Sequence, residues 1–232
     1  RHALPARPPR GGGSIAAERR RPAGEKPMAV WMHAELRLAR GDALPELAHW
    51  LRGAGGDAIG RLGGAIWGCW PGAPGFGLRS DAVLLATRWP DDAAAGAATE
   101  LLAGAASVIA VHGTPLHATA RPVSEAPVDG EGLWVFRDFE LAREDAARFV
   151  ELSQSAWATF EARFDARIDG LFRAPDPAPA LARMLLVTRY ADLATWEASR
   201  SAEADPESWS RFAERRALTR WTRACCAPRM AL

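Results

Sequence analysis

Residues 31–43 read WMHAELRLARGDA, and residues 134–146 read WVFRDFELAREDA. Trp31, Leu38, Ala39, Arg40, Asp42 and Ala43 return as Trp134, Leu141, Ala142, Arg143, Asp145 and Ala146, and Glu35 returns as Asp138, all at an offset of 103. Two further blocks follow in the same order. Ile66, Gly68 and Trp70 return as Ile168, Gly170 and Phe172, and Leu84, Leu85, Thr87, Arg88, Trp89 and Asp91 return as Leu185, Leu186, Thr188, Arg189, Tyr190 and Asp192. Three ordered matches, with an offset that drifts only where loops absorb it, indicate a duplicated unit of about a hundred residues, the size of one small domain.

Each copy carries the same succession of signals. Trp31 to Leu38 and Leu133 to Leu141 are rich in bulky apolar residues and predict first strands, with Asp42 and Asp145 placed to cap the helices behind them. Leu44, Leu47, Leu51, Ala58 and Leu62 fall at helical spacing in the first copy, as do Phe149, Leu152, Ala156, Phe160 and Phe164 in the second. Gly53, Gly55, Gly56 and Gly60 each cost about 1 kcal/mol in a helix interior, so the first copy's helix is expected to break. Next come strand pairs, Ala65 to Trp70 with Val83 to Trp89 and Arg167 to Phe172 with Met184 to Tyr190, joined by the segments PGAPGFGLRS and RAPDPAPA. Second helices follow Asp91 and Asp192, the latter restarting at Asp205-Pro206, and last strands are expected at Ser107 to His117 and Arg223 to Leu232.

The outcome is β-α-β-β-α-β twice, the α+β arrangement called ferredoxin-like. A sheet covered by helices on one face leaves its other face bare, and two copies in one chain hide both by packing sheet against sheet as a pseudodimeric barrel. The expected division is a tail at 1–27, a first half at 28–121, a linker at 122–132 and a second half at 133–232.

Composition narrows the function classes. Of 232 residues 48% are apolar, enough for a core, and no apolar run reaches the length of a spanning helix or has the form of a signal peptide, so a cytoplasmic protein is expected, with no membrane insertion. The charge of +1 is unevenly divided: residues 1–27 carry seven basic groups against Glu18 and Glu25, and the remainder is mildly acidic. That body lacks the clustered arginines of a nucleic-acid binder, so nucleic acid is not expected as a partner. The tail holds five prolines and a GGGS segment, which predicts disorder, with Met28 as the natural start. Cys69, Cys225 and Cys226 suit neither a disulfide framework nor a zinc cage. No phosphate loop, nucleophile elbow or dinucleotide fingerprint is present.

The stretch from Trp157, through Gly170-Leu171-Phe172, to Leu185-Leu186-Val187-Thr188-Arg189-Tyr190-Ala191-Asp192-Leu193-Ala194-Thr195-Trp196-Glu197-Ala198-Ser199-Arg200 resembles the NIPSNAP-type branch of the dimeric α+β-barrel superfamily. The resemblance covers the second copy from Trp134 to Trp221, and the first only through the repeat, whose aligned stretch lacks counterparts of Trp196-Glu197 and Arg200. It implies a barrel of two fused ferredoxin-like units that binds a small, partly apolar or aromatic ligand, with no assigned reaction. Cofactor-independent monooxygenases and isomerases, and haem proteins, also belong to the wider superfamily.

Relatives place ligands between a sheet and its own helices, which directs attention to the first strands. Trp31, His33 and Glu35 share one face, and Trp134, Phe136 and Asp138 share its counterpart. If there is catalysis, it is expected in the first copy, with His33 as base, Glu35 as its orienting acid and His112 nearby on the neighbouring strand. The plainer alternative makes His33 a core residue and pairs Glu35 and Asp138 with Arg88 and Arg189. Trp31, Trp67, Trp134, Trp157 and Trp196 are the candidate walls of an aromatic pocket, and a second location lies under Trp157 and Trp196 with Asp138 and Arg189 as polar groups. No metal site or cofactor is expected; a haem ligand among His33, His49 and His112 is the sharper alternative, against which stands the absence of ligand spacing and of any histidine after His117. The expected partners are a small-molecule ligand and the other half of the chain, with further homodimer formation open.

Overall fold

The structure, a computed structural model, describes residues 29–232. The expectations for the tail at 1–27 and for Met28 lie outside them. The chain runs β1 (Val30–Leu38), α1 (Leu44–Arg52), α2 (Ala54–Arg61), β2 (Ala65–Pro71), β3 (Ala82–Trp89), α3 (Asp92–Ala103) and β4 (Val108–Arg121). A second succession follows: β5 (Leu133–Ala142), α4 (Ala146–Arg163), β6 (Ala166–Ala174), β7 (Leu181–Tyr190), α5 (Leu193–Ala198), α6 (Pro206–Ala217) and β8 (Thr219–Pro228). All eight strands join in one antiparallel sheet of order β2-β3-β1-β4-β6-β7-β5-β8, which is the ferredoxin-like order written twice.

Local chemistry accounts for most boundaries. Asp91 and Asp192 cap α3 and α5 by accepting from the amides of Ala94 and Thr195, and Asp205 caps α6 by accepting from Ser208, with Pro206 at the first helical position. The break expected in the first copy falls at Gly53, between α1 and α2. Asp42 and Asp145 do not cap: Asp42 pairs with Arg40, and the side chain of Asp145, at the end of a 3-10 turn, bonds no helix amide. β8 starts four residues before the expected Arg223, because its first half is an exposed edge whose polar residues hide the strand signal.

The repeated glycines mark one shared device. β2 and β6 each bulge just before a glycine, where the ladder to the following strand slips between Ile66 and Gly68 and between Ile168 and Gly170. A Cβ on Gly68 would lie 2.2 Å from the Trp70 ring, and one on Gly170 would lie 2.2 Å from the Phe172 ring. The missing side chain lets each aromatic fold back over its own strand into the barrel.

Three apolar clusters result. Val30, Met32, Ala34, Leu36 and Leu38 face α1–α3, while Val135, Phe139, Leu141, Met184 and Leu186 face α4–α6. Between the sheets lie Trp31, Trp67, Trp70, Trp134, Phe136 and Phe172, with edge-to-face contacts such as Trp70 on Phe136 at 4.9 Å. The two seams of the barrel differ. β4 continues to Arg121 and hydrogen-bonds β6, pairing His117 with Arg173 and Ala118 with Phe172. Across the other seam no ladder joins β2 to β8; instead the Cys226 amide donates to the carbonyl of Phe76, and the Met230 amide to that of Cys69. No helix among the described residues is long and apolar enough to cross a membrane.

Candidate functional site

Alternation grouped the first-strand residues correctly, but the face they share points away from the helices. Trp31 is part of the core between the sheets, and the His33 ring stacks on Phe136 at 5.5 Å. His33 and Phe136 occupy equivalent positions in the repeat, so the two halves meet there across the barrel axis. The His33 Nε2 is sealed from solvent with no hydrogen-bond partner among the described residues, and burial, aided by the charge of Arg223, pushes the imidazole down to about 4. It is neutral at pH 7. Glu35 lies directly opposite His112 in the ladder between β1 and β4, while His33 lies opposite Thr114. The structure thus brings Glu35 and the exposed His112 together, but no side-chain hydrogen bond among the described residues joins His33 to Glu35, so the expected base and orienting acid are not coupled.

The remaining expected site residues divide by face. Trp67 packs edge-on against Phe172 in the barrel, and the Trp134 indole donates to Asp169 Oδ2 at 2.7 Å with its ring fully buried. Asp138 also faces the barrel; burial raises its carboxyl against the pull of Arg223 and Arg183. Arg189 holds Asp165 at 2.5 Å and donates to the Glu131 carbonyl, and Arg88 holds Glu125 at 3.5 Å, so neither pairs with the carboxylates expected for it. Trp67 also borders a cleft beside the end of α1, and Trp157 and Trp196 line an open space on the helix side of the second half.

That space is a cavity of about 550 Å³ between the sheet of the second half and α4–α6. Its walls are aromatic: Trp157, Phe160, Tyr190, Trp196, Trp209 and Phe212. Arg137, Arg200, Arg215 and Arg216 line it as well, and no aspartate or glutamate does. The buried indole N–H groups of Trp157, Trp196 and Trp209 have no acceptor among the described residues. Another cleft, of about 540 Å³, lies at the open seam between β2 and the C-terminal residues Arg229 to Leu232, but it lacks this concentration of aromatics and cations.

Arg215 is the unusual member. It is 6% exposed, and its guanidinium lies 4.8 Å from the Phe212 ring, 5.2 Å from Phe139 and 5.4 Å from Phe149. Its single side-chain hydrogen bond is a long one, 3.3 Å to Ser153 Oγ, and it forms no ion pair among the described residues. Burial, with the like charge of Arg137 behind it, pulls its pKa down to about 9, which leaves it protonated at pH 7. Desolvating such a cation costs several kcal/mol, and each ring face returns about 2 kcal/mol in a desolvated site. Arg215 is therefore a buried positive charge held by ring faces, with no carboxylate beside it among the described residues.

The donor set decides what else could sit here. None of the lining residues is a histidine, cysteine or methionine, so the cavity supplies a haem iron with no imidazole, thiolate or thioether. His33 and His112 lie on the barrel side of the first half, and His49 is exposed on α1. No group of three His, Cys, Asp or Glu side chains among the described residues is gathered closely enough to hold a metal ion.

Two arginines escaped the sequence reading. Arg137 stands where the repeat has Ala34, a small residue on the helix-facing side, and this replacement is a legible sign of a changed cleft. Arg215 extends the helical stripe Trp209, Phe212 and Arg216 on α6, the pattern of one face turned inward.

No protein-family model matches the chain, and no curated protein matches it. Solved structures do. The chain is similar to a candidate monooxygenase from Lactobacillus acidophilus NCFM, with 12% identity over 87% of this chain and 94% of that one and a TM-score of 0.58. It is similar to an anthrone oxidase-like protein, with 10% identity over 90% and 93% and a TM-score of 0.55. It is also similar to chlorite dismutase from Candidatus Nitrospira defluvii, with 7% identity over 88% and 91% and a TM-score of 0.57. Identities this low carry architecture alone. The sheet order, the sheet-to-sheet core and these neighbours together make the fold that of the dimeric α+β barrel, with both halves supplied by one chain.

Proposed function

We propose that this is a small-molecule-binding barrel protein of the NIPSNAP type, whose partly apolar or aromatic ligand enters between the sheet of the second half and α4–α6. One observation carries the proposal: of two equivalent helix–sheet clefts, the first is filled by its own side chains and the second holds a cavity of about 550 Å³. That volume is in the range of ligand pockets, and its aromatic walls with a few polar groups match their usual make-up. The residues from Trp157 to Arg200 that carry the NIPSNAP resemblance also supply Trp157, Trp196 and Arg200 to the walls. Cys69, Cys225 and Cys226 are free and buried, which supports a reducing, cytoplasmic setting.

Calorimetric titration with 2-naphthol tests the proposal. One molecule is expected to bind per chain, at least about ten-fold more weakly to Ala213→Trp, which puts an indole into the cavity wall, and more weakly to Trp157→Ala. Absence of binding at millimolar ligand, or binding that neither substitution alters, contradicts it.

The names of the neighbours favour a second reading, a cofactor-independent oxygenase or isomerase acting on a planar substrate. In that case His33 would be the base, a weak one with its pKa pushed down to about 4, with Glu35 two residues along the strand and His112 opposite Glu35. Oxygen uptake with anthrone as substrate, lost in His33→Ala, would support it. No uptake, or uptake unchanged in that variant, would remove His33 from the chemistry.

A further inference from the structure

The cavity of the second half is matched to a charge as well as a shape. Arg215 and Arg137 both line it, neither forms an ion pair among the described residues, and no carboxylate belongs to its walls. Elsewhere in the described chain Arg167 is neutralised by Asp129 and Asp169, Arg173 by Asp176 and Arg121 by Glu161. Arg200 stacks on Trp196 at 4.9 Å, which adds a third cation to the same wall. Around these groups the largest apolar side chains are flat, with Val135, Ile168 and Leu186 between them, so the cavity offers stacking surfaces on its sides and unmatched donors at its strand and α6 walls.

We propose that this cavity takes a planar aromatic acid, with the ring system held among Trp157, Phe160 and Trp196 and the carboxylate received by the guanidinium groups of Arg215 and Arg137. The proposal rests on the cavity being a ligand site at all, and it names the class of ligand. A carboxylate matches the fork of a guanidinium with two parallel hydrogen bonds, and beside the buried Arg215 such charge-assisted bonds discriminate strongly against a neutral amide of the same shape. An acid that binds there replaces the solvation that burial removed from Arg215.

Calorimetry with 2-naphthoate and 2-naphthamide at pH 7 provides the test, since the two differ in charge and hardly in shape. The acid is expected to bind at least about ten-fold more tightly than the amide to the full chain. That ratio should collapse to about one in Arg215→Met, whose side chain fills a similar volume without the charge, and should fall in Arg137→Met. Should Arg215→Met fail to fold, Arg137→Met on the cavity's strand wall carries the same test. An acid-to-amide ratio near one in the unaltered chain overturns the inference and leaves the cavity as a neutral ligand site. A ratio that persists in both variants overturns it too, because the acid preference would then come from elsewhere. Decanoate binding as tightly as 2-naphthoate overturns the claim of a planar ring. Binding of neither naphthyl compound overturns both this inference and the ligand-site reading on which it stands.

Discussion

On its helix side, the first half of the molecule packs Met32, Ala34, Leu36 and Leu85 against Leu47, Leu51, Ala95, Ala98 and Leu102. On the corresponding side of the second half, Val135, Arg137, Phe139 and Leu186 look across open space at Trp157, Trp196 and Phe212. The strands are built alike. The helix layers are not: α3 lays Ala95 and Ala98, both without exposed surface, onto its sheet, whereas the α4–α6 layer presents tryptophan and phenylalanine that hold it away. A duplicated unit has kept the barrel that both copies need, and it differs on the faces that neither copy requires for joining the other. Small residues close one cleft, and large flat residues prop the other open.

The first way to break the comparison concerns the surface the halves share. Expressed separately at the division we propose, residues 28–121 and 133–232 should each lose cooperative folding, because Trp31, Trp67, Trp134 and Phe136 would be bared to water. Mixing them should restore a melting transition. Two stable soluble monomers with no mutual affinity would refute the intrachain barrel.

A matched pair of truncations sharpens the contrast between clefts. Leu85 and Leu186 are equivalent in the repeat, the first without exposed surface in the filled cleft and the second bordering the cavity. Leu85→Ala should cost about 2–5 kcal/mol by chemical denaturation, and Leu186→Ala clearly less, because its neighbours already lack contacts on one side. Equal costs would mean that the second cleft closes up as tightly as the first.

His33 and Phe136 give a comparison that depends on pH. The unfolded chain takes up a proton on His33 near 6.5, and the folded chain only near 4, so the unfolded state binds more protons between these values. Stability is therefore full above about pH 6.5 and falls as pH drops toward 4, by roughly 3 kcal/mol from this group. His33→Leu, like the Phe136 side of the stack, cannot titrate and should flatten that part of the acid limb. A limb unchanged in the variant would place its origin elsewhere.

The smallest expected effect compares one residue introduced at equivalent places. Ala34→Met should lose about 1–3 kcal/mol, since the first cleft has no room, while Arg137→Met should hold stability or raise it by relieving the repulsion on buried Arg215. Destabilisation of both by the same amount would erase the difference between the clefts.

Much of this architecture was legible because it rests on short-range rules. The repeat fixed the strand order, Gly53 marked the helix break, and Asp91, Asp192 and Asp205 announced their helices. The site was harder to see. A period of two separates Trp31, His33 and Glu35 from Met32, Ala34 and Leu36, but both faces are covered in the fold, one by helices and one by the other half, so alternation alone does not say which faces the helices. For the same reason Asp138 and Arg189 were assigned to the cleft where their neighbours Arg137 and Thr188 stand. Trp157 and Trp196 line the space between sheet and helices, and their helix positions carry that facing information. Arg215 sits on α6 four residues before β8, and its meaning depends on three phenylalanines brought together only by folding.

A crystal structure of the full chain grown with 2-naphthol tests the central claim most directly, because it locates the ligand without reference to any reaction. Density for the ring between the sheet of the second half and α4–α6, against Trp157 and Trp196, with the first cleft closed around Leu36 and Leu85, is the predicted result. Density in the first cleft, in the barrel beside His33 or at the open seam, with the second cleft empty, would contradict the account.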